Sequence, residues 1–381
     1  MKFKIISKGA AVFLVSGLLA GCGSQTQETL VSQTEAVQSE SVSEAKNVSG
    51  TEAAPEESVE AEENGETVTA ESVRTNGGEV IGLSALEHQD KGGESAVYFT
   101  SDISSQALVD IYAALGTELI GDKIAVKLST GEPPASNYLD PALIAELVRQ
   151  VNGTIVENNT AYGGQRSGTA MHYQVAEDHG FTAIADFVVM DENGSVSLPV
   201  EGGTRLTENL VGAHFPEYDG YLVLSHFKGH AMAGFGGGFK IISIGLGSQE
   251  GKFLIHTAGA SRSSPWGGEQ DPFTESMAEA GKSVVDALDG NILYISVMNR
   301  LSIDCDCDGN PSEPDMHDIG ILASTDPVAL DQACVDLIYA SKDDTASLIE
   351  RMESRNAIHV LEHGEEIGLG TRTYRLVNCD D

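Results

Sequence analysis

Hydrophobic runs with strand character alternate along most of the chain with amphipathic runs of helical spacing. Lys123–Ser129, Thr154–Glu157, Phe187–Met190, Tyr221–Ser225, Ile292–Met298 and Ile319–Ala323 read as strands, with Tyr374–Val377 as a last short one. Ile292–Met298 is apolar throughout, which suits a strand covered on both faces. Between them lie helical stretches. Asp140-Pro141 opens one that runs to Val151, with Asp as cap and Pro in the first turn. Ser167–His179 ends at Gly180, a helix-stop signal. Pro272–Leu288 is a third, Asp326-Pro327 caps a fourth to about Ala340, and two more follow. Such alternation predicts an α/β fold. A mostly parallel sheet carries helices on both faces, in one large domain or two lobes. In that architecture ligands bind beyond the carboxyl ends of the strands.

The first 78 residues break this pattern. Lys2, Lys4 and Lys8 precede an apolar stretch, Ala10–Ala20, which is too short for the roughly 20 residues a membrane span needs. It ends in Leu19-Ala20-Gly21-Cys22. We expect residues 1–21 to be a signal peptide and Cys22 to be a lipidated mature N-terminus, with membrane attachment and an extracytoplasmic location. Residues 23–75 hold twelve Glu, two basic residues and no aromatic. Such a stretch buries too little apolar surface to order itself, so residues 22–78 are expected to be an acidic tether. Residues 79–381 are expected to form the α/β domain.

Charge narrows the partners. The 381-residue chain carries 58 acidic and 22 basic side chains, a net −36. A surface this acidic repels phosphate backbones, which argues against nucleic acid. Besides Cys22, the cysteines are Cys305, Cys307, Cys334 and Cys379. Four cysteines in a domain of this size do not make a disulfide scaffold. Cys334 shares an apolar helical stripe with Leu330, Leu337 and Ile338 and reads as core; Cys379 lies in a polar tail.

Three clusters carry candidate chemistry, each after a strand-like run. The first is Ser225-His226-Phe227-Lys228-Gly229-His230, followed by Gly234-Phe235-Gly236-Gly237-Gly238-Phe239-Lys240. Two histidines four apart can share a metal if the segment is helical. The N–H groups around Gly234, Gly236, Gly237 and Gly238, with Lys228 and Lys240, can cradle a small anion. The second cluster is Asp304-Cys305-Asp306-Cys307-Asp308-Gly309. Its thiolates suit a soft metal such as iron or zinc, or a redox disulfide. Its Asp spacing only faintly matches a calcium loop. The third is Thr154–Gly164, where Glu157 is a candidate acid/base and Asn159 a candidate ligand contact. His226, His230, Cys305 and Cys307 form the candidate metal or redox centre, with His256 and Asp304 as further ligands. Lys228 and Lys240 are candidate catalytic or anion-holding residues. No Gly-x-Ser-x-Gly elbow and no His-Glu-x-x-His occurs, so hydrolase templates find no support.

The segments VYFTSDIS, GDKIAVKLSTGEP, GTIVENNTAYGG, VLSHFKGHAMAGFGGGFKIISIG, VMNRLSIDCDCDG and DIGILASTDPVALDQACVDLIY resemble the domain-of-unknown-function 362 proteins, over nearly all of residues 95–377. Many relatives carry a ferredoxin-type Cys-x-x-Cys-x-x-Cys-x-x-x-Cys motif. This chain has none. The usual Lys-Asn after the glycines is here Lys240-Ile241. The resemblance implies an iron–sulfur or redox-linked background, without the cluster itself. A ligand-binding lipoprotein with no enzymatic activity is the alternative expectation.

Overall fold

The protein is described by a computed structural model covering residues 68–380. The expected signal peptide, Cys22 and most of the tether lie outside the described residues. The tether was expected to reach residue 78, yet Ser72–Arg74 already pairs antiparallel with Val80–Gly82. Val73 and Ile81 of that small ribbon are 1% and 3% exposed, so the ribbon is seated on the core.

One eight-stranded sheet runs through the domain, rather than two lobes. Its strands in chain order are β1 (Ser95–Thr100), β2 (Ile124–Lys127), β3 (Gly153–Glu157), β4 (Phe187–Val189), β5 (Gly220–His226), β6 (Ile292–Met298), β7 (Gly320–Ser324) and β8 (Tyr374–Asn378). Across the sheet they stand in the order β8-β1-β7-β6-β5-β2-β3-β4. All pairs are parallel except those of β7, which opposes both β6 and β1. The expected mostly parallel sheet is therefore present, and β1 and the helix after it are elements the sequence pattern did not mark.

Both faces are covered. Alternate residues of one strand feed opposite cores, because successive side chains point to opposite sides of a pleated strand. Leu222, Leu224, Leu293, Ile295 and Val297 pack under α1 (Ser105–Ala114), α2 (Pro141–Gln150) and α3 (Thr169–Asp178). Tyr221, Val223, Ile292, Tyr294 and Met298 face the opposite layer. That layer comprises α4 (Gln249–His256), α5 (Gln270–Ala287), α6 (Pro327–Ala340), α7 (Ala346–Ser354) and α8 (His359–Glu366). The helix starts follow the sequence chemistry. Asp140 and Asp326 accept N–H bonds from the first turns of α2 and α6, each with Pro just inside. Gly180 takes a left-handed φ of 86° beyond the end of α3, a conformation that favours glycine. Cys334 is fully buried on α6, as its apolar stripe suggested, and Cys379 is exposed.

The run Phe253–Ile255 does not form a strand. It lies inside α4, capped by the Ser248 hydroxyl on the Gly251 N–H. His256 thus closes a helix instead of following a strand.

Candidate functional site

Because every strand except β7 runs the same way, the carboxyl ends of β2, β3, β5 and β6 open onto one edge of the sheet. Lys127, Glu157, His226 and Met298 stand at those ends. The loops that follow carry all three sequence clusters, so the strand direction assembles them.

Two buried ion networks organise this edge. Glu157, 5% exposed, accepts from Lys127 Nζ at 2.9 Å, Arg166 at 3.1 Å and the Thr130 N–H at 3.0 Å. His172 Nε2 lies 3.9 Å away. Burial by itself would raise the Glu157 carboxyl, but Lys127, Arg166 and His172 outweigh it and hold the group well below the carboxylate range. Glu157 therefore stays ionised, as the counter-ion of this network. Asp306 does the same for Lys228, with His226 Nδ1 at 3.5 Å. Its carboxyl is also held well below the usual range, against the opposing effect of burial. Arg166 links the two networks, since it also donates to the Asp306 carbonyl at 3.2 Å.

The imidazole-bearing and thiol-bearing loops do meet. The residues after β5 form a hairpin, Lys228–His230 against Gly234–Gly236, and Gly229 sits against the Ile303 backbone. A Cβ on Gly229 would lie 2.3 Å from the Ile303 carbonyl oxygen, so only glycine allows this approach. His230 Nε2 comes within 4.0 Å of Cys307 Sγ. The ligand atoms of His230, Cys305 and Cys307 all lie within 4.8 Å of one another, a group that could hold a metal ion.

His226 is not part of that group. The segment is extended rather than helical, so the two histidines are not on one helical face. Both His226 nitrogens are engaged: Nε2–H donates to the Asn299 carbonyl at 2.6 Å, and Nδ1 accepts from Lys228 at 2.8 Å. Asp304 is also turned away. It accepts from Ser312 and pairs with Arg351 at 3.3 Å. His256 donates Nδ1–H to the Lys252 carbonyl at 2.6 Å and stacks on Phe273, outside the His–Cys group.

The hydrogen bonds around His230 decide what its imidazole can do. Nδ1 accepts two backbone N–H groups, from Met232 at 3.2 Å and Ala233 at 2.9 Å. The neutral ring therefore carries its proton on Nε2, the nitrogen facing Cys307. Burial, with nearby Lys240, His256 and Arg351, keeps the ring neutral. A metal-binding histidine shows the opposite arrangement, donating its remote N–H to an acceptor and leaving the near nitrogen bare. Cys305 and Cys307 are joined as a disulfide, which also withholds both thiolates. In this form the residues do not fit a resident metal.

The glycine segment does not cradle a ligand through its first turn. The N–H groups of Gly238 and Phe239 both point at the Asp331 carboxylate, at 2.8 and 2.9 Å. A Cβ on Gly237 would fall 2.4 Å from Asp331 Oδ1, so this glycine permits that close seat. Gly234 supplies a φ of 83° in the hairpin turn, and Gly236 pairs with Lys228. Asn159 is held by Asp191, Thr169 and His172. Lys228 is spent on Asp306 and the Asn137 carbonyl. Of the expected anion-holding groups, only Lys240 keeps its charge unpaired among the described residues.

Sequence reasoning missed Lys127, Lys252 and Asp331. Lys127 left a trace: a lysine inside an apolar strand must find a buried partner. Asp331 left a similar trace, as a carboxylate in a helix that is apolar and buried nearly all round, whereas Lys252 lies in an amphipathic helix and left none.

Comparisons with known proteins add the following. No curated protein matches the chain. Among solved structures, the lactate racemase apoprotein of Thermoanaerobacterium thermosaccharolyticum is similar at 15% identity, with a TM-score of 0.37, over 65% of this chain and 58% of that one. A Thermotoga maritima protein is similar at 12% identity, with a TM-score of 0.37, over 69% of this chain and 58% of that one. The chain thus spans less than two thirds of either. The family model described as domain of unknown function (DUF362) matches residues 124–336, more than half of the chain, and it is to this family that the protein belongs.

Proposed function

We propose that the protein is a lipid-anchored extracytoplasmic thiol–disulfide redox protein whose working pair is Cys305 and Cys307. The observation that carries this reading is the His230 Nε2–H held beside Cys307 Sγ, at the carboxyl edge of the sheet. In the reduced pair an N–H there stabilises the Cys307 thiolate, and thiolate is the reactive form that attacks a substrate disulfide. Exposure differs between the sulfurs: Cys305 is 5% exposed, while Cys307 is partly open. Cys307 is therefore the sulfur an incoming thiol attacks, and Cys305 is the leaving and resolving thiol. Two equivalents of donor thiol reduce the pair, forming one donor disulfide and two protein thiols.

A stapling role has little force. On the chain-entropy scale a loop of three residues gains only about 1.6 kcal/mol, against about 4.7 for a 100-residue loop. The sheet's two hydrophobic cores do not need it. The proposed extracytoplasmic location would let the disulfide form in place. Net charge and the tether keep the domain soluble above the membrane surface.

His230→Phe tests the centre. Removing the N–H donor should slow alkylation of reduced Cys307 at neutral pH by roughly tenfold, equivalent to about 1.4 kcal/mol. An unchanged rate in a folded variant would remove His230 from the mechanism. The anchor has its own test. Cys22→Ala should release the protein from the membrane fraction and abolish incorporation of labelled fatty acid. Continued membrane retention would mean another attachment.

The second reading is metal binding by the reduced pair. It draws on the closeness of His230, Cys305 and Cys307 and would suit zinc or iron. It requires His230 to lose its Nε2 proton, against its two backbone donors. Elemental analysis of protein reduced and loaded without oxygen separates the two: one ion per chain favours the metal, and free thiols without metal favour redox chemistry.

A further inference from the structure

Positive charge gathers at this edge of a chain whose net charge is −36. Lys127, Arg166 and Glu157 lie within electrostatic reach of both Lys240 and Lys252, with Asp306 near Lys240 and Asp191 near Lys252. Each of those carboxylates is engaged. Glu157 holds Lys127 and Arg166, and Asp306 holds Lys228. Asp191 accepts the N–H groups of Asn159 and Gln249. Lys252 donates to the Gly247 carbonyl. Lys240 has no hydrogen bond or ion pair with any described residue, although burial depresses its ammonium to about 8. Lys240 is only partly buried, so its unpaired ammonium is open to an anion that completes it.

A second orphan lies close by. His256 is 1% exposed, and its Nε2 has no partner among the described residues. The Nδ1–H···O bond to Lys252 fixes the ring proton on the other side, so Nε2 is a bare acceptor awaiting a donor. His256 is within electrostatic reach of both Lys240 and His230. Tyr162 meets its ring edge-on, with a centroid distance of 6.4 Å, and Trp266, 63% exposed, lies beside Tyr162 at 6.2 Å.

We infer that the reductant of this site is a small thiol that carries a carboxylate, taken by Lys240, and an N–H donor, taken by His256 Nε2. The inference rests on the redox reading of Cys305 and Cys307. In the first step the ligand thiolate attacks Cys307 Sγ. The Cys305–Cys307 bond breaks, and Cys305 leaves as thiolate and takes a proton. A second thiol then attacks the ligand sulfur, giving the ligand disulfide and freeing the Cys307 thiol. Two electrons and two protons pass from two thiols to the protein.

A matched pair of probes tests it. N-acetylcysteine has a thiol, an amide N–H and a carboxylate; N-acetylcysteamine lacks only the carboxylate. At equal thiolate concentration the full-length protein should be reduced about tenfold faster by N-acetylcysteine, against the repulsion of a −36 chain. Lys240→Gln should bring the ratio to about one, and Lys240→Arg should keep most of it, which separates charge loss from misfolding. A wild-type ratio of one or less would overturn the proposal. N-acetyl-S-methylcysteine, which cannot exchange, separates the two layers of the claim. If it raises the melting temperature of wild type but not of Lys240→Gln, and no thiol reduces the pair, the anion subsite stands and the redox reading falls. If both thiols reduce the pair equally and the capped probe gives no shift, the subsite falls alone.

Discussion

Glu157→Gln is expected to destabilise the protein by about 3–5 kcal/mol, the usual cost of removing one member of a buried ion pair. The side chain keeps its size, so packing is not the cause. What is lost is the anion that Lys127 and Arg166 both need, two cations that are 1% and 3% exposed. The loss is large beside a typical total stability of about 5–15 kcal/mol. It should appear as a lower denaturant midpoint with the slope unchanged. The same carboxylate sets an acid limb. Its folded pKa lies below its ordinary 4.5, so its stabilisation is complete above about 4.5 and is lost as pH falls through the folded value. In Glu157→Gln the stability curve below pH 4.5 should be shallower. A variant within about 1 kcal/mol of wild type would show that the network does not hold the edge together.

The second large effect concerns the sulfurs. In Cys305→Ser, the remaining Cys307 thiol is expected to react quickly with an aromatic disulfide reagent. In Cys307→Ser, the buried Cys305 thiol should react on the order of a hundredfold more slowly, because Cys305 is 5% exposed and the reagent cannot reach its sulfur. Neither variant should oxidise a donor thiol, since with one sulfur gone there is no internal disulfide to open. Equal rates in the two variants would contradict the assignment of Cys307 as the attacked sulfur.

The layered architecture was legible in the sequence because its signals are local. Asp140-Pro141 and Asp326-Pro327 announce helix starts through cap chemistry within three residues. Ile292–Met298 announces a doubly covered strand by composition alone. The meeting of the His230 and Cys307 loops was expected from the strand-end rule, and the sheet delivers it. The details of the site were not legible, because they depend on contacts between distant residues. Glu157 reads as an acid/base until Lys127, thirty residues earlier, is seen to hold it ionised. His226 and His230 look like a chelating pair until the chain is found extended and His226 bonded to Asn299. The glycines look like an anion cradle until Asp331, on a helix nearly a hundred residues later, is found on the N–H groups of Gly238 and Phe239. Strand direction is equally silent: Gly320–Ser324 resembles its neighbours in composition yet runs against them.

The most direct test of the redox claim is a titration of the full-length protein in thiol–disulfide buffers of graded potential without oxygen, with the Cys305 and Cys307 thiols counted by alkylation and mass. The expected result is one reversible two-electron transition, with two thiols gained and no metal bound at the reduced end. A pair that stays oxidised across the whole range, or that takes up one metal ion per chain when reduced, would contradict it.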